Sequence, residues 1–108
     1  MSRRGFAELV EWMRSHLAEA LTVERLADRA AMSPRNFARA FMAETGTTPA
    51  KAVERLRLET ARTAIETSHA PLEGIAEVVG FGDPGRMRRA FLRTFGQPPQ
   101  ALRRAGRM

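Results

Sequence analysis

Apolar residues along this chain recur every three or four positions, and no stretch alternates in the manner of a strand. From Phe6 to about Glu19, the residues Phe6, Leu9, Val10, Met13 and Leu17 form one stripe, which predicts an amphipathic first helix. Trp12 lies beside that stripe, either packed at the helix border or facing a partner domain. A second, short helix is predicted from Leu21 to Ala31, with Thr22 as its cap and Val23, Leu26, Ala27 and Ala30 as its buried face. Met32 and Ser33 then make a tight connection into SPRNFARAFMAETG. There Ser33 is placed to N-cap a helix, Pro34 fits its first position, and Gly46 stops it. At about 100° per residue, Phe37, Ala40, Phe41 and Glu44 fall on one side of this helix and Arg35 and Arg39 on the other. Two short helices joined by such a turn, the second with outward arginines, are the sequence form of a helix-turn-helix whose second helix enters the DNA major groove.

Beyond Gly46 the punctuation repeats. Thr47 or Thr48 caps a long helix that runs unbroken to Ser68, with Val53, Leu56, Ala64 and Ile65 on its main apolar face and Leu58 and Ala61 toward the flanks. Glu59 is spaced for an ion pair with Arg62. Pro71 opens PLEGIAEVV, which Gly80 ends. Asp83 and Pro84 then start GRMRRAFLRTF, which Gly96 stops, and QPPQALRR gives a last short helix before an arginine-rich tail.

A shift of 49 residues sets Glu24 on Glu73, Leu26 on Ile75, Ala27 on Ala76 and Met32 on Phe81. Beyond the turn, a shift of 50 sets Pro34 on Pro84, Arg39 on Arg89, Ala40 on Ala90, Phe41 on Phe91, Gly46 on Gly96 and Pro49 on Pro99. The same helix-turn-helix therefore occurs twice. In the second copy Met87, Ala90, Phe91 and Phe95 face inward and Gly85, Arg86, Arg89 and Arg93 outward. A connecting helix over residues 48–67 is ~30 Å long, comparable with the ~34–36 Å between major-groove segments on one face of DNA.

Charge sharpens this picture. The 108 residues carry 18 Lys and Arg against 12 Asp and Glu, a net charge of +6, and Lys51 is the only lysine. A basic balance favours a polyanionic partner, and arginine adds planar, bidentate donors suited to guanine edges and phosphates. A GC-rich genome also raises arginine over lysine, so the preference alone does not decide the partner. No acidic residue follows Asp83, whereas Arg86, Arg88, Arg89, Arg93, Arg103, Arg104 and Arg107 do. The chain has no cysteine, which excludes disulfides and thiolate metal sites, and its two histidines, His16 and His69, take surface positions by default. No nucleophile motif, phosphate loop or cofactor signature appears, so no enzyme and no cofactor is expected. No apolar run reaches the ~20 residues of a membrane span, and MSRRGFAELV lacks the apolar core of a signal peptide. A cytoplasmic location is expected.

The segments SPRNFARAF, ETGTTPAKAVERLRLETAR and AEVVGFGDPGRMRRAFLRTFGQPP resemble the DNA-binding domain of AraC/XylS-type transcription regulators, and the resemblance covers about residues 6–104. It implies an all-α, homeodomain-like fold of seven helices. Two helix-turn-helix subdomains, 6–47 and 69–105, would be joined by a long linker helix, 48–68. Most members of the family attach this domain to a separate effector-binding or dimerising domain, and a minority consist of the DNA-binding part alone. The wording of VEWMRSHL and TVERLADRAAMSPRNFARAF looks most like members fused to an amidase-like domain, so an upstream domain of that kind is expected here. Double-stranded DNA is the expected partner, with RNA polymerase beside it.

Carried over by position, the resemblance assigns base reading to Arg35, Asn36 and Arg39 in the first recognition helix and to Arg86 and Arg89 in the second. Pro84 and Gly85 stand where many relatives hold polar base-reading side chains, so the second helix is expected to depend more on phosphates. Phosphate contacts are expected from Ser33, Arg88, Arg93, Arg103 and Arg104. Phe37, Phe41, Phe91 and Phe95 are spaced for a core rather than for stacking on bases. The function these residues predict is sequence-specific duplex binding in successive major grooves. Its rivals are a basic helical module docking an acidic protein, and non-specific coating of DNA.

Overall fold

Local capping chemistry sets most of the element ends. The computed structural model describes residues 3–106, with side chains from residue 6 to residue 105. Seven α-helices and no strand occur among the described residues: α1 (Arg3–Arg14), α2 (Val23–Arg29), α3 (Pro34–Thr45), α4 (Pro49–Thr67), α5 (Leu72–Val78), α6 (Pro84–Phe95) and α7 (Pro99–Gly106). Thr22 Oγ1 accepts from the Arg25 amide at 3.2 Å, Ser33 Oγ from Asn36 at 3.2 Å and Asp83 Oδ1 from Arg86 at 2.9 Å. Each bond satisfies an amide that the first helical turn leaves without a carbonyl. At the other ends of α3 and α6, Gly46 and Gly96 take left-handed φ values of 77° and 70°. Their amides close onto the Met42 and Leu92 carbonyls at 2.9 and 3.1 Å.

The repeat extends to the backbone of the turns. The Met32 amide donates to the Ala27 carbonyl at 3.0 Å, and the Phe81 amide donates to the Ala76 carbonyl at 2.9 Å. One residue earlier the chain is left-handed in both copies, through Gly80 at φ 97° in one and Ala31 at φ 58° in the other. The additional residue of the second turn, Gly82, is also left-handed at φ 90°.

Contacts divide the chain into two units, one ending at Arg55 and the other beginning at Leu56, so the division falls inside α4. In the first unit Phe6, Leu9, Met13, Leu17, Leu26, Ala27, Phe37 and Phe41 are buried. Phe6 meets the rings of Phe37 and Phe41 edge-on, with centroids 6.0 and 5.5 Å away, fixing α1 against the inner face of α3. In the second unit Leu58, Ala61 and Ile65 of α4 pack with Ile75, Ala76, Val79, Phe81, Met87, Ala90, Phe91 and Leu102. Leu58 and Ala61, expected at the flanks of the long helix, are thus central. The reason is that α4 serves two cores: Val53 is buried before the division and Leu58, Ala61 and Ile65 after it, so no single stripe describes it.

Two further expectations change. The first helix ends at Arg14 rather than near Glu19, because the amides of Ser15 and His16 bond three residues back, to Trp12 and Met13, in a tightened turn. Leu17 keeps its place in the apolar period and is buried from that turn. Arg62 pairs with Glu66, Nε to Oε2 at 3.3 Å, rather than with Glu59, and its guanidinium lies 4.8 Å from the centre of the Phe95 ring.

Candidate nucleic-acid interface

On α3 the buried rings of Phe37 and Phe41 define the inner face. The same rotation leaves Arg35, Asn36 and Arg39 exposed on the outer one. Among the described residues neither Arg35 nor Arg39 has an ion-pair partner, so both guanidinium forks are open to an anion or a base edge. Ser33 is exposed beside them; its oxygen accepts from the Asn36 amide, which leaves the hydroxyl proton to donate.

On α6 Met87, Ala90 and Phe91 are buried, and Arg86, Arg88, Arg89 and Arg93 are exposed. The helix contains no acidic residue, and its N-terminal amides add partial positive charge to the same end as Arg86. A Cβ on Gly85 would lie 3.0 Å from Asp83 Oδ1 and 3.4 Å from Arg89 Nη1. Glycine therefore leaves the room that the Arg89 fork and the capping carboxylate occupy over the first turn.

The expected phosphate contacts divide. Arg88, Arg93 and Arg104 are exposed, but Arg103 turns inward: its Nε donates to the Ile65 carbonyl at 3.3 Å and its Nη2 is buried. Arg103 ties α7 to α4 instead of pointing at solvent. A further cation, Arg57, stands near this surface. Arg57 is partly buried on α4, and its guanidinium is held below the usual arginine range, first by burial and then by the positive charge of Arg86. Its signal in the sequence was position: Arg57 falls on the line of Val53 and Ala61, both buried, where an apolar residue belongs.

A separate cluster lies on α1 and α2. Trp12 packs at the helix border, where the Arg29 guanidinium sits 4.3 Å and that of Arg25 5.5 Å from its ring centre. The His16 ring stacks on Trp12 with centroids 4.2 Å apart, and its Nδ1 donates to the Trp12 carbonyl at 2.6 Å. His16 is therefore half-buried rather than a surface residue, whereas His69 is exposed. Glu19 pairs with Arg25 and closes the cluster. The described residues contain no grouping of metal ligands and no helix long and apolar enough to cross a membrane.

Two copies of a capped helix, each with aromatic residues inward and arginines outward behind a tight turn, match the helix-turn-helix domain family over residues 26–105. The chain belongs to the AraC-type helix-turn-helix family. This AraC-type chain is 44% identical over 92 residues to the HTH-type transcriptional regulator Rv1931c of Mycobacterium tuberculosis, covering 85% of this chain and 36% of that protein. It is 38% identical over 95 residues to the HTH-type transcriptional activator RhaS of Escherichia fergusonii, covering 88% of this chain and 34% of that one. The chain thus spans about a third of the length of these curated relatives. Among solved structures it resembles the DNA-binding domain of the global transcriptional factor AdpA, crystallised with a target DNA. The TM-score is 0.88 at 40% identity, over 94% of this chain and 91% of that one. It also resembles the C-terminal domain of the response regulator AraT from Geobacillus stearothermophilus, at TM-score 0.88 and 25% identity, over 96% and 88% of the two chains.

Proposed function

We propose that this AraC-type domain binds double-stranded DNA sequence-specifically and thereby regulates transcription, with α3 and α6 each entering one of two successive major grooves. The observation that carries the reading is the repeated helix whose buried phenylalanines orient exposed arginines outward, at Arg39 in α3 and Arg89 in α6. The DNA-binding domain of AdpA, a neighbour at 40% identity in complex with a target DNA, supports it. In this reading Arg39 and Arg89 address guanine O6 and N7, with Arg35, Asn36 and Arg86 on neighbouring base edges. Ser33, Arg88, Arg93 and Arg104 hold phosphates, and a phosphate near Arg86 offsets the positive charge that Arg86 sets beside Arg57. An upstream amidase-like or dimerising domain and contact with RNA polymerase belong to the same proposal, supported by the resemblance of the N-terminal segments and the greater length of the relatives.

The test is selection of duplexes from a random pool, followed by competition against scrambled DNA at several salt concentrations. We expect a preferred sequence, a steep fall of affinity with salt, and loss of preference in Arg39→Ala. Equal affinity for preferred and scrambled duplexes would establish non-specific coating, and absence of duplex binding would favour docking to an acidic protein.

A further inference from the structure

Two large apolar side chains stand exposed beside the outward arginines, Met42 on α3 at 45% and Leu92 on α6 at 39%. Single exposed apolar residues are ordinary on a protein surface; these two are set apart by where they stand, outside the buried core and on the arginine-bearing side of each helix. Their positions are equivalent in the repeat, 50 residues apart, so the feature occurs once per recognition helix. Each also follows the central arginine by three residues, Met42 after Arg39 and Leu92 after Arg89. At about 100° per residue, Met42 falls within ~60° of both Arg35 and Arg39 and opposite Phe37. Leu92 bears the same relation to Arg89 and Met87. The apolar side chains therefore project in the same direction as the guanidinium forks.

We propose that Met42 and Leu92 are specificity residues that each receive the 5-methyl group of a thymine. The proposal rests on the duplex-reading function above and adds a base to each half of the site. The major groove offers one apolar group, the thymine methyl, and an unbranched or branched aliphatic side chain is its natural partner. Three residues of helix advance ~4.5 Å, and base pairs are spaced ~3.4 Å. The thymine in each half therefore lies one or two base pairs beyond the guanine taken by Arg39 or Arg89. It lies on the side away from the helix N-terminus.

The experiment uses the intact chain and its selected duplex, with every thymine replaced in turn by deoxyuridine, which removes only the methyl and leaves pairing and groove acceptors unchanged. Wild type should lose affinity about fourfold at one thymine in each half, the effect of one buried CH₂ at about 0.8 kcal/mol. Met42→Ala should make the first of these substitutions neutral and leave the second, and Leu92→Ala should do the reverse. Both changes are at exposed positions, and circular dichroism checks that helix content is retained. If deoxyuridine is tolerated at every thymine, or the losses persist in both variants, or the selected site has no thymine at these places, the proposal is overturned while duplex reading stands. If no preferred duplex emerges, the functional reading itself fails and this inference fails with it.

Discussion

Arg103 of α7 donates from Nε to the carbonyl of Ile65, 38 residues earlier in α4, at 3.3 Å. Its neighbour Arg104 stays exposed. Two adjacent arginines in one basic tail thus have different work, one inside the second unit and one toward solvent.

The two separate in measurement. Arg103→Ala removes a charged hydrogen bond and is expected to destabilise the second unit by about 1.5–3 kcal/mol, seen in urea titration. Arg104→Ala should leave stability unchanged and reduce the slope of log affinity against log salt by ~0.9, the contribution of one phosphate contact. A reduced slope for Arg103→Ala in a fully folded protein would place its guanidinium at the duplex instead.

Ala31 and Gly80 occupy the same left-handed place in the two turns, at φ 58° and 97°. Alanine is strained there, and glycine is not. Ala31→Gly should therefore stabilise the protein by ~0.5–1 kcal/mol after its greater freedom in the unfolded chain is offset. Gly80→Ala should destabilise it by about 1–2 kcal/mol. Opposite signs in chemical denaturation are the required outcome.

Arg57 predicts a change in affinity without a change in sequence preference. Partly buried beside Arg86 and carried on α4 rather than on either recognition helix, it contributes charge. Arg57→Gln should lower the salt slope by ~0.9 while the selected sequence stays the same. Repeating the duplex selection with the variant provides the check.

Gly85 tests the second helix. A methyl group there competes with the Asp83 cap and the Arg89 fork, at 3.0 and 3.4 Å. The gain of alanine over glycine in a helix, ~0.5–1 kcal/mol, opposes a loosened cap bond worth about 1 kcal/mol. Stability should change little. Preference at the base pair facing Arg89 should fall, and competition binding with single-base variants of the site measures it.

These residues also show what a linear reading reaches. The starts at Ser33 and Asp83 and the stops at Gly46 and Gly96 were legible because capping involves atoms only three or four residues apart. The inward phenylalanines were legible because helical period and core face coincide in short helices. Long-range relations were not: the tail position of Arg103 gives no hint of Ile65, and the charge of Arg57 hides its place on an apolar line. Leu58 and Ala61 read as flanking positions in the sequence because a single apolar stripe describes a helix with one core, and α4 serves two. The end of α1 was overrun because Leu17 keeps the apolar period through a turn that is no longer α-helical.

Trp12, with the His16 ring stacked on it and the Arg29 guanidinium over its ring, is the sole indole of the chain. Its fluorescence therefore watches only the half that ends at Arg55. The half holding Phe81, Phe91 and Phe95 melts without an optical signature of this kind. Emission and far-ultraviolet dichroism followed together on one sample would distinguish joint melting from sequential melting.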